Sequence, residues 1–92
     1  MTGIPEGYEN YARSPDFDEI SLPEALRKDH QTKATVWGLI VVEKGALIYT
    51  RKGQPSVRVA EGETAVIYPE EPHAVTPDGA LLFHVAFYRP AA

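Results

Sequence analysis

Three histidines, His30, His73 and His84, are the side chains of this chain best placed by type to do chemistry, because cysteine is absent. Without thiols there is no disulfide, thiolate metal site, iron–sulfur cluster or cysteine nucleophile, which leaves imidazole and carboxylate as candidate metal ligands. A divalent zinc, iron, nickel or manganese ion needs several nitrogen or oxygen donors within about 2.0–2.3 Å, and strands remote in sequence can aim them at one point. The turn signal Pro77-Asp78-Gly79 between His73 and His84 predicts that the two meet across a hairpin, with His30 joining from another strand. A carboxylate of Glu70 or Glu71 would complete the sphere. Each residue also has an ordinary reading: a histidine bonded to a backbone carbonyl, and glutamates solvated beside Pro72.

Other reactive constellations are missing. Ser14, Ser21 and Ser56 lack the G-x-S-x-G setting of a hydrolase nucleophile, and the glycines do not cluster into a phosphate loop. Lys33 would attract an anion near His30, or else is a solvated surface lysine. Trp37 and Tyr49 stand out among scattered aromatics as candidates for a pocket mouth or a dimer interface, with core packing as the alternative.

The elements that must position these residues are strands. Turn punctuation recurs at Lys44-Gly45, Gly53-Gln54-Pro55, Glu61-Gly62, Pro69 to Pro72 and Pro77-Asp78-Gly79. Between these points lie runs of strand length at 34–43, 46–51, 56–60, 64–68 and 81–88, the pattern of a sandwich or barrel. Helix signal is confined to residues 21–28, where Ser21 and Glu24 have capping-box spacing and Pro23 suits a first turn, so one short helical turn is predicted. In the hairpin 34–51 both faces are apolar, Trp37, Leu39 and Val41 on one and Val36, Ile40 and Val42 on the other. In the last run Phe83, Val85 and Phe87 share a face, while His84 lies on the opposite one with Leu82 and Ala86.

A chain of 92 residues supports one compact core, so residues 1–92 are read as one domain. The small core and the doubly apolar hairpin predict a homodimer. A net charge of −4 with scattered basic residues repels phosphate backbones, which argues against nucleic acid and acidic membranes as partners. No basic and apolar leader opens the chain and no apolar run is long enough to span a bilayer, which predicts a cytoplasmic location.

The segment from Gly62 to His73, a glycine turn, a short apolar strand and a proline turn ending in histidine, resembles the second motif of the cupins, G-x5-P-x-G-x2-H. The spacing from first glycine to histidine agrees, but Pro69 falls one position late and the inner glycine is absent. The first cupin motif is degraded: Thr32 stands for its second histidine and Gly38 for its metal-binding glutamate, so two usual ligands cannot be carried over. Over nearly the whole length the chain looks closer to the short, YeaR-like cupins related to the N-terminal domain of tellurite-resistance protein B. Pro5 to Tyr8, Tyr11 to Phe17, Leu22 to Leu26, His30 to Lys33, Trp37-Gly38, Gly45, Pro69 to His73 and Phe87-Tyr88 carry that likeness.

This resemblance implies an all-β, single-domain, cupin-like jelly-roll barrel with a possible link to tellurite or oxidative stress and no established reaction. The leading expectation is a small metal-binding cupin, with a divalent ion on His30, His73 and His84 and a small oxyanion or organic ligand in the barrel. Its candidate pocket residues are Thr32, Lys33, Trp37, Tyr49 and Glu71. One alternative is a metal-free sensor or interaction module that has lost the ancestral site; another is a metal-dependent dioxygenase or isomerase.

Overall fold

Alternation of apolar side chains organises the chain into strands, and the computed structural model describes them over residues 3–27 and 32–91. His30 lies outside the described residues. The order is β1 (Tyr8–Arg13), β2 (Phe17–Asp18), a single 3-10 turn (Glu24–Arg27), β3 (Trp37–Arg51), β4 (Val57–Ala60), β5 (Thr64–Ile67) and β6 (His73–Pro90). The strands form one antiparallel sheet in the order β1-β6-β3-β4, with β2 also on β6 and β5 also on β3. The domain is therefore all-β, as expected, but the hydrogen-bonded sheet is open rather than a closed barrel.

The two predicted strands 34–43 and 46–51 are one strand, β3. Lys44-Gly45 is a bulge and not a hairpin turn, because β6 stays paired with β3 on both sides of it, from Trp37–Tyr88 through to Arg51–His73. Gly45 has a φ of 72°, and a Cβ there would overlap the Ala80 carbonyl oxygen. Pro77-Asp78-Gly79 is likewise a corner in continuous β6: between the pairs Gly45–Leu81 and Leu47–Pro77 it inserts residues 78–80 opposite Ala46. These bulges bend both long strands, as extra residues in one strand do, and the bent sheet closes over its own inner face.

Ile40 and Val42 on one limb of β3 and Leu47 and Tyr49 on the other share a core with Val59, Ile67, Val75, Phe83 and Val85. Burial of Phe83, Ile40, Leu47 and Val42 is complete, each worth roughly 1.5–3 kcal/mol relative to exposure. The apolar outer face of β3 is also covered in part within the chain. Leu39 is 5% exposed although it stands apart from the main core, and the backbone at Gly3 lies against Val66 beside it.

The predicted helical turn is present, but its cap differs. The Ser21 hydroxyl accepts a hydrogen bond from the Asp18 N–H, and the Asp18 carboxylate accepts from the Ile20 and Ser21 N–H groups. Those three bonds close the chain between β2 and the turn, and the two received by the carboxylate hold the Asp18 carboxyl below its ordinary pKa, the Ser21 N–H first and the Ile20 N–H second.

Candidate functional site

β6 positions two of the three histidines, and its alternation separates them. His73, Val75, Leu81, Phe83 and Val85 are buried on the inner face, whereas His84 sits between Phe83 and Val85 and faces outward. The expected meeting of His73 and His84 across a hairpin does not occur, because the intervening corner leaves them on one strand with opposite orientations.

His73 is 3% exposed, and its Nδ1 lies 3.1 Å from the Glu71 carbonyl oxygen. A carbonyl only accepts, so Nδ1 carries the proton in this hydrogen bond. The edge of the Tyr49 ring packs against the imidazole at a centroid distance of 5.8 Å. Tyr49 donates its hydroxyl to the Val66 carbonyl at 2.9 Å, bridging the two limbs of the sheet. Burial, with the nearby Glu71 charge second, pushes its pKa up to about 12, so the hydroxyl stays a donor.

Glu71 anchors the turn that leads into His73. Its carboxylate takes two hydrogen bonds from Arg51, at 2.6 and 3.0 Å, and the guanidinium lies 4.4 Å over the Tyr68 ring. Those bonds hold the Glu71 carboxyl below its usual pKa. Sequence reading overlooked Arg51, which is remote from Glu71 in the chain and adjacent only through the β3–β6 register.

Beside His73 the inner face forms a half-open cavity of about 270 Å³. Phe17, Phe83 and Phe87, all the phenylalanines of the chain, line it together with Ile67, Val75 and Val85. Pro23 and Leu26, at the helical turn, close one side, and among the described residues Ser14, Thr32 and His73 are its polar members. Ser14 donates its hydroxyl to the Pro15 carbonyl and accepts from the Val85 N–H; Thr32 donates to the Val36 carbonyl. Gly38, standing where the cupin resemblance would place a metal-binding glutamate, faces inward. A Cβ there would meet Ile67 at 3.1 Å and Val85 at 3.4 Å, so apolar side chains occupy the space a carboxylate would need.

Of the other expected pocket residues, Thr32 lines the cavity and Tyr49 stands behind His73, while Glu71 holds the rim. Lys33 is exposed, and Trp37 packs between Tyr8 and Tyr68 at 6.1 and 5.0 Å, away from the cavity lining. Glu70 is an exposed turn residue in the left-handed region, φ 59°. The shared inward face of Phe83, Val85 and Phe87 was legible in the sequence; Phe17 and Leu26 gave no local sign of joining it.

On the outer face the His84 Nδ1 lies 2.9 Å from a Glu43 carboxylate oxygen and 3.9 Å from Asp16, whose carboxylate also pairs with Arg13. The donor atoms of Asp16, Glu43 and His84 all fall within 4.8 Å of one another, with both carboxylates exposed.

The sequence model of the TehB-like domain matches residues 12–85. No curated protein matches the chain in sequence. Among solved structures, a protein from Escherichia coli K12 superposes with a TM-score of 0.86 over 100% of both chains at 22% identity. TehB from Haemophilus influenzae superposes with a TM-score of 0.81 at 24% identity; 92% of this chain matches 32% of that one. A structure titled for the DMSP lyases RdDddP and RnDddQII gives a TM-score of 0.56 at 19% identity, over 91% of this chain and 36% of the other. Among the described residues no helix is long and apolar enough to cross a membrane.

Proposed function

Since this chain belongs to the TehB-like family and its own fold frames the cavity beside His73, we propose that it is a small-molecule-binding domain of cupin type that takes a compact organic ligand into that cavity. The observation that carries this reading is the cavity itself, about 270 Å³ of space walled mainly by phenylalanine and aliphatic side chains with a buried histidine at its side. Binding sites for small molecules are concave, mostly apolar and marked by few polar groups. An oxyanion would find little compensation here: the described hydroxyls of the lining donate to backbone carbonyls, and Arg51 is bound to Glu71. Burying an anion without donors is costly.

The test is a fragment screen by ligand-observed NMR on the native chain and on Val75→Phe, which fills the cavity from its wall. Hits on the native chain that vanish on a folded Val75→Phe variant support the reading; hits that bind both equally overturn it.

A second reading, a divalent ion on His73 with His30 as partner ligand, is favoured by the bond from Nδ1–H to the Glu71 carbonyl. Metal-ligating histidines commonly use such a bond to present Nε2. The described residues alone do not complete a sphere at His73, since Gly38 supplies no carboxylate and Glu71 is held by Arg51. Elemental analysis of protein purified without a polyhistidine tag decides it: near-stoichiometric metal lost in both His73→Ala and His30→Ala supports the ion, and metal-free protein that resists reconstitution excludes it.

A further inference from the structure

The lining of the cavity selects a ligand more narrowly than its volume does. Resting on the small-molecule reading above, we infer that the ligand class is an uncharged aromatic molecule of roughly ten non-hydrogen atoms. Size sets the first limit. An apolar cavity of about 150 Å³ accepts benzene, so one of about 270 Å³ has room for a bicyclic ring.

The rings set the second limit. Phe17 and Phe83 already meet in a tilted pair at 5.7 Å and 52°, and Phe87 lies on the same face of β6 as Phe83. Aromatic pairs in tilted or offset arrangements gain beyond the apolar area they bury, so a flat guest extends an arrangement the protein has begun. Phe17, Phe87 and Leu26 pack on the core yet stay only half-buried. Large apolar side chains left open on a concave surface gain from an apolar guest that covers them.

Charge sets the third limit. The hydroxyls of Ser14 and Thr32 and the Nδ1–H of His73 all donate to backbone carbonyls. Arg51 and Glu71 neutralise each other at the rim. A charged guest would leave water for walls whose described donors are committed elsewhere, and an unpaired buried charge is strongly disfavoured.

Calorimetric titration with indole, benzoate and trimethylanilinium tests the class, using the native chain and Leu26→Trp, which intrudes on the cavity from the helical turn. Leu26 is only partly buried, so the exchange leaves the central core intact; retention of the native far-ultraviolet spectrum and cooperative melting checks this. The expected result is saturable binding of indole, at least tenfold weaker for either ion, and at least a tenfold loss for indole on Leu26→Trp. Binding of benzoate or trimethylanilinium as tight as indole, and sensitive to Leu26→Trp, overturns the neutral class while leaving the small-molecule reading intact. Absence of indole binding overturns the aromatic class, while the fragment screen on Val75→Phe decides the small-molecule reading independently.

Discussion

At the residue scale, the buried imidazole of His73 depends on neighbours whose contributions can be measured separately. Tyr49→Phe removes the hydroxyl that reaches the Val66 carbonyl, and losing one such bond is expected to cost about 1 kcal/mol in urea denaturation. Folding holds the Tyr49 pKa at about 12, above its ordinary value of 10.0. Its contribution is therefore complete below the ordinary value and disappears as pH rises through the folded one, so the native chain should lose stability over that alkaline window and Tyr49→Phe should lose less. Glu71 has the opposite sign. Arg51 depresses its folded pKa below the ordinary 4.5, which places its stabilisation above that value and removes it as pH falls further. Denaturation of Glu71→Gln should show a deficit relative to the native chain near pH 7 that shrinks near pH 3; a deficit independent of pH would contradict the ion pair. His73 was legible as a candidate from the Gly62 to His73 spacing, whereas Arg51 was not, because its partnership exists only through strand register.

At the element scale, the chain's strongest turn signals mark bends inside strands. Gly45 and Pro77-Asp78-Gly79 carry the residue types of hairpin turns, and a local reading has no means of knowing that β3 and β6 remain paired past them. That one misreading also placed His73 and His84 on facing strands. Side-chain alternation, a more local property, correctly put His84 opposite Phe83, Val85 and Phe87. Gly45→Ala adds a Cβ that collides with the Ala80 carbonyl and must also hold a positive φ. Gly53 has a comparable φ of 76° but open space around it. Gly53→Ala should therefore cost about 1 kcal/mol, the left-handed penalty alone, while Gly45→Ala should cost several times more or prevent folding. Equal losses in thermal melting would show that the bulge is not a close approach.

At the scale of the whole molecule, an all-β chain was legible, whereas the open path of the sheet depends on long-range pairing. The apolar outer face of β3, which suggested a homodimer from sequence, is covered in part by the chain itself near Gly3, Val66 and Leu39. Deleting residues 3–7 should uncover that face and raise the apparent mass in light scattering relative to the full chain; an unchanged mass and melting temperature would show that the segment covers nothing of consequence. The account depends most on the inner face of β6 being where a ligand is held. Its most direct test is an NMR titration of the native chain with indole, following the methyl groups of Ile67, Val75 and Val85 together with the rings of His73 and His84. The account predicts that the three methyl-bearing residues and His73 shift in concert while His84, on the outer face, does not; shifts centred on His84, or none at the cavity wall, would contradict it.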